Sequence, residues 1–286
     1  MAEMFARPSD RQELERRLDG LVERNRFTIA VVFPLVGAVL LLASAERLLP
    51  AILAFNPYLV LLGVLVMRLP LVAGLLPLLD RKAVGALSAL TLYAYLIEYV
   101  GTTTGIPYGD FTYDVPLGPM LFETIPLGLP VFFLPLVLNS YLLCVLLLGD
   151  RANSALVRLP AVIAAVLAVD LVLDPAAVAL GFWSYGGGLY YGVPLSNYAG
   201  WVLSATVATL LVDIAFEGDS LVARVRACPF MLDDLVSFVV LWGVVNAVYG
   251  AWIPVAVALV FAVGLIQLDR FDFAVTLQFE SISVDG

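Results

Sequence analysis

Glu98 and Asp174 stand ten and eleven residues ahead of two Tyr-Gly pairs, Tyr108-Gly109 and Tyr185-Gly186, and both lie near the end of a long apolar run. A carboxylate beside hydrocarbon is costly when ionised, which favours the neutral acid and makes it a proton donor. Asp170 precedes Asp174 by four residues, so a helix carries both on one face, where they can divide a proton. Asp110, Asp114 and Glu123 add acids nearby, among Tyr93, Tyr95, Tyr99, Tyr108, Tyr113, Trp183, Tyr185, Tyr190, Tyr191, Tyr198 and Trp201. Any one of these rings fits the aromatic belt of a membrane interface. Neutral acids among aromatic faces, without a compensating cation, suit protonation of an apolar substrate and stabilisation of the resulting cation over the rings. On this reading Asp174 and Glu98 are candidate proton donors, and Asp170 or Asp110 positions water. Tyr108, Trp183, Tyr185, Tyr190, Tyr191 and Trp201 line the pocket, with Asn197 holding water or a product hydroxyl. Such chemistry requires neither metal nor redox cofactor.

The elements that must carry these residues follow from composition. Of 286 residues, 62% are hydrophobic and only 14% charged, and the mean hydropathy is +0.99. Soluble domains carry about a quarter charged residues, so the expected fold is an all-α polytopic membrane protein. Eight apolar runs approach the roughly 20 residues that cross a bilayer: 27–45, 51–67, 83–100, 124–148, 159–173, 197–216, 232–248 and 251–268. The stretch 69–79, broken by Pro70 and Pro77, lies at the interface or extends a neighbour, so the expected count is eight within a range of seven to nine. Fourteen of the 15 basic residues fall at alternate crossings, Arg47 being the exception. By the positive-inside rule both termini are then cytoplasmic in a multi-pass cell-membrane protein, with the two aromatic loops outside. Three parts result: an amphipathic segment 1–26, one transmembrane domain 27–268 with motif loops 101–123 and 174–197, and a short, polar, flexible tail 269–286. Ser9 and Gln12 fit a capping box, and Leu14, Leu18, Leu21 and Val22 give the amphipathic segment one apolar face on the membrane surface.

Several function classes are excluded. The chain has no His, so His-ligated haem, His-containing zinc sites and Ser-His or Cys-His catalysis cannot arise within it. A net charge of -9 argues against nucleic acid as a partner. Cys144 and Cys228 are too few for a disulfide framework. The run Gly186 to Gly188 lacks a P-loop lysine. Asn139 and Asn246 suit hydrogen bonds between helices. Asp213 and Glu217 suit surface pairing with Arg224 and Arg226, while Asp233 and Asp234 suit the positive end of a helix dipole.

The two loops also match each other. Tyr108, Gly109, Tyr113, Val115, Pro116 and Leu117 align with Tyr185, Gly186, Tyr190, Val193, Pro194 and Leu195, which suggests a repeat of helix, loop and helix in one orientation. The strings GIPYGDFTYDVPLGP (105–119), DLVLDPAA (170–177) and WSYGGGLYYGVPLSNYAGW (183–201) resemble the membrane carotenoid-biosynthesis hydratases, haloarchaeal members above all, over residues 85 to 270. The resemblance implies addition of water to the terminal trisubstituted double bonds of a C50 carotenoid, giving tertiary alcohols. Its implied partners are the long apolar carotenoid, water, membrane lipid and other carotenoid-pathway enzymes. Two other readings use the same features. A small transporter would use loops and intramembrane acids, although the copies are not inverted. A nonenzymatic carotenoid-binding protein would need the rings but not the acids.

Overall fold

The computed structural model describes residues 8–115 and 117–273. Among the described residues, seven helices are long and apolar enough to cross a membrane by length and composition: Asp10–Ala45, Pro57–Leu78, Arg81–Thr104, Leu129–Asn153, Ala155–Leu180, Leu195–Ala215 and Pro229–Val248. The eighth expected run forms the shorter apolar helix Trp252–Gln267. The α-helical segments are α1 (Pro8–Phe27), α2 (Phe33–Ala45), α3 (Pro57–Leu75), α4 (Arg81–Thr104), α5 (Leu129–Leu148), α6 (Ala155–Leu180), α7 (Leu195–Ala215), α8 (Gly218–Ala227), α9 (Asp233–Val248) and α10 (Trp252–Gln267).

Local chemistry sets the boundaries. The Asn56 side chain accepts from the Tyr58 and Leu59 amides, with Pro57 opening α3, and Asp80 accepts from the Ala83 amide to start α4. Residues 51–56, expected inside a span, precede that cap, whereas the stretch from Leu69 extends α3 as far as Leu78. Proline frees the carbonyl four residues earlier, and side chains from elsewhere take up two of these. Pro135 frees Val131 O, which accepts from Arg68 Nε at 3.1 Å, and Pro175 frees Leu171 O, which accepts from the Tyr190 hydroxyl at 3.2 Å.

The amphipathic amino-terminal helix leads straight into the first span: α1 runs through a π-helical segment, Thr28–Val32, directly into α2. No Gly or Pro between Leu21 and Phe33 interrupts it. Ser9 lies inside the helix, one residue after Pro8, and so does not precede it as a cap. The apolar face is partly used, with Val22 fully buried but Leu14 and Leu21 exposed. The first tail residues are also held: buried Arg270 donates to Val225 O at 2.7 Å and Cys228 O at 2.9 Å. The rest of the tail, from 274, lies outside the described residues.

Helices α4 to α7 form the frame of the site. α4 packs against α7 and α5 against α6, with α6 also against α7, while α2, α3 and α9 close the other side. Above α4 and α6 the loops are joined by a short antiparallel ribbon, β1 (Phe111–Tyr113) with β4 (Trp183–Tyr185), in register Phe111↔Tyr185, Thr112↔Ser184 and Tyr113↔Trp183. A hairpin of β2 (Met120–Leu121) and β3 (Ile125–Pro126) follows in the first loop, and a single antiparallel bridge, Tyr190↔Val193, in the second. The ribbon revises the repeat: Tyr113 holds the place of Tyr185, each third in its strand, rather than that of Tyr190. Pro116, in the original alignment, lies outside the described residues.

Candidate active site

The loop geometry begins at two glycines. Gly105 (φ +72°) and Gly181 (φ +77°) end α4 and α6 in the left-handed conformation that a side chain disfavours. Glu98 lies seven residues before the first and Asp174 seven before the second, so two turns below each cap a carboxyl points from an equivalent place. Strand alternation then supplies the roof. Phe111, Tyr113, Trp183 and Tyr185 share one face of the ribbon and line a cavity, while Thr112 and Ser184 face outward and are exposed.

The cavity measures about 160 Å³. Its ionisable lining groups are Glu98, Asp174, Tyr108, Tyr113 and Tyr185, and no Lys or Arg is among its lining residues. Asn197 and Trp201 also line it, with apolar walls from Leu41, Val64, Phe133 and Trp242. Each carboxyl meets a ribbon tyrosine. The Tyr113 hydroxyl donates to Glu98 Oε1, and that of Tyr185 lies 3.1 Å from Asp174 Oδ2 and 3.2 Å from Asn197 Oδ1. Burial pushes both phenols well above their usual range, so they remain protonated donors.

Asn197 is more constrained than the sequence suggested. Its amide nitrogen donates to Asp174 Oδ2 at 2.6 Å and to Asp170 Oδ2 at 2.9 Å, which consumes both protons. It therefore positions two acids and is not free to hold water through that group. Asp170 is 1% exposed and stands behind Asp174 rather than on the cavity wall; its Oδ1 has no hydrogen-bond partner among the described residues. Trp183 Nε1 is likewise an unpartnered donor there.

Tyr108 presents its ring to the cavity and turns its hydroxyl to Ser204 Oγ at 2.6 Å. Gly101 and Gly200 flank that ring, and a β-carbon at either would collide with it. Trp201 stacks on Phe133 at 5.3 Å between centroids. Three expected residues stand elsewhere. Asp110 is exposed outside the cavity. Tyr190 serves the Leu171 carbonyl, and Tyr191 lies against it edge-on with its hydroxyl beside the Ile253 amide. Conversely, Phe111 and Tyr113 belong to the roof, a role that residue type and spacing did not assign them; the equal spacing from acid to capping glycine is the signal that marks their loop as equivalent to the second.

Comparison with known proteins identifies the family. The family described as "Carotenoid biosynthesis protein" matches residues 55–265. The chain is 62% identical over 266 residues, 93% of its length and 91% of the relative's, to a protein of Haloarcula japonica named bisanhydrobacterioruberin hydratase. No solved structure matches. With a cavity of acids and rings inside the matched region, the chain belongs to the carotenoid biosynthesis protein family.

Proposed function

We propose that the protein is a carotenoid hydratase, a hydro-lyase that adds water to the terminal C=C bonds of a C50 carotenoid and converts bisanhydrobacterioruberin to bacterioruberin. The observation that carries this reading is the apolar cavity faced by two carboxyl–tyrosine pairs and by no cation. The name and 62% identity of the haloarchaeal relative supply the substrate.

Hydration in the Markovnikov sense needs a Brønsted acid, a place for a tertiary carbocation and a water delivered to it. Glu98 or Asp174 gives the proton to the less substituted alkene carbon. The cation forms under Phe111, Tyr113, Trp183 and Tyr185, whose ring faces stabilise it without offering a nucleophile of comparable strength to water. Water is captured at the more substituted carbon, and Trp183, whose buried N–H has no partner among the described residues, supplies a donor for its oxygen. Tyr108 and Trp201 pack the reacting end, and Asn197 with Asp170 fixes Asp174. The chemistry requires no metal or redox group. The enzyme works as one transmembrane domain of the cell membrane with both termini cytoplasmic, the carotenoid lying among lipid and passing between pathway enzymes.

Expression in cells that make the anhydro C50 carotenoid tests the reading. Extracted pigment is expected to gain one water, about 18 Da, per modified end. Unmodified pigment beside correctly inserted protein would remove the reading for that substrate.

A further inference from the structure

Glu98 and Asp174 differ in their partners. The Glu98 carboxyl receives one hydrogen bond among the described residues, from Tyr113. Asp174 Oδ2 meets two donors, Asn197 Nδ2 at 2.6 Å and the Tyr185 hydroxyl at 3.1 Å. Hydrogen bonds donated to a carboxyl favour its ionised form, and two favour it more than one. Asp170 sharpens the contrast. It takes the other proton of the same amide at 2.9 Å, and its second oxygen is buried without a partner among the described residues. Two carboxylates on one amide cannot both ionise at little cost, so the pair holds one proton. The charge belongs on Asp174, which has two donors, and the proton on Asp170, which has one. Among the described residues no cation lines the cavity to hold either charge, and Glu98, with one donor, is the acid that keeps its proton.

Resting on the hydratase reading, we propose that Glu98 is the acid that protonates the alkene, that Asp174 is the base that takes the proton of the attacking water, and that protonated Asp170 is a positioning residue. The step balances. The alkene π pair forms a C–H bond with the Glu98 proton, whose O–H pair stays on the carboxylate. The anionic Asp174 faces the cation that results. A water lone pair then forms the C–O bond, and the O–H bond that breaks passes its proton to Asp174. Water entering after product release carries that proton back to Glu98, so one water is consumed per alkene.

The test uses membranes carrying the full chain, the anhydro C50 carotenoid and D2O, with mass spectrometry of both product and recovered substrate. Wild type is expected to give one carbon-bound deuterium per hydrated end. Glu98→Gln should give neither product nor deuterium in recovered substrate, because no cation forms. Asp174→Asn should lose hydration by about 100-fold or more, yet return substrate carrying carbon-bound deuterium, because its cation collapses by losing a proton back to Glu98. Tyr185→Phe keeps the Asp174 carboxyl and serves if the amide variant does not insert; hydration should fall while exchange persists. Deuterium in substrate recovered from Glu98→Gln overturns the assignment. So does its absence from both other variants when their membranes still retain carotenoid. A wild type that hydrates nothing removes the hydratase reading itself, and that control is read separately.

Discussion

Buried acids occur at both ends of this bundle, and their partners differ in kind. At the end formed by the start of α9, Asp233 pairs with Arg26 at 2.8 Å and Asp234 with Arg68, while Asn139 adds a bond to Asp234 at 2.8 Å. Asp213 on α7 pairs with Arg158 at 2.6 Å and receives the Tyr141 hydroxyl; Arg224, the partner expected from sequence, reaches Asp19 at 3.2 Å instead. At the loop end, among the described residues, Glu98, Asp170 and Asp174 have phenol and amide partners only. An arginine fixes a carboxylate in its charged state and makes it part of the scaffold. A phenol or an amide holds the group in place while leaving its proton exchangeable, which is what acid–base chemistry requires. Burial alone therefore does not separate the two sets of acids; the presence or absence of a cation does, and the proposed function rests on the set without one.

Substitutions can break this contrast. The largest expected effect is on activity: Glu98→Gln or Asp174→Asn should lower hydration by about 10²- to 10⁴-fold while carotenoid still co-purifies, measured by pigment analysis of isolated membranes. Full activity in both variants would place the chemistry elsewhere. At the other end Asp234→Ala should leave Arg68 buried without its partner and cost about 3–5 kcal/mol of stability, read by thermal inactivation in detergent. Exchanging the pair together, Arg68→Met with Asp234→Leu, should restore most of that loss, whereas no apolar exchange of Glu98 with Tyr113 should restore hydration. Gly200→Ala would push a β-carbon into the Tyr108 ring; about a 10- to 100-fold loss of rate is expected with all acids intact. The smallest effects belong to residues outside the cavity. Tyr190→Phe should cost about 1 kcal/mol through the Leu171 carbonyl with near-normal turnover, and Asp110→Asn should change stability by less than about 0.5 kcal/mol.

Much of this architecture is legible in the amino acids. Apolar run length located the crossing helices, and the costliness of acids in hydrocarbon singled out Glu98 and Asp174, both of which the cavity contains. Asn139 and Asn246 do join helices, through Asp234 and the Val172 carbonyl. Pairing between distant elements was not legible. Nothing local in FTY or WSY says that they meet, because three residues of strand carry too little periodicity to announce themselves. Matching Tyr-Gly with Tyr-Gly aligned letters rather than backbone conformation, so Tyr113 was set against Tyr190. Asp233 and Asp234 do open α9, as the dipole argument had it, yet their guanidinium partners come from 207 and 166 residues away. Tyr190 was assigned to substrate because its role depends on a carbonyl freed by Pro175, visible only once the helix is built around it.

The ribbon that closes the cavity also sets which lengths of chain can change. A strand shows alternate residues to alternate sides, so one residue gained or lost between Gly105 and Tyr113, or between Gly181 and Tyr185, does not shift a single ring. It turns a strand over, presenting Thr112 or Ser184 to the cavity and taking a tyrosine away from its carboxyl. The segment between Tyr113 and Leu129 lies under no such rule, because its hairpin pairs within the segment and not with the second loop. Insertions and deletions should therefore be tolerated between Tyr113 and Leu129 but not between either capping glycine and the strand that follows it.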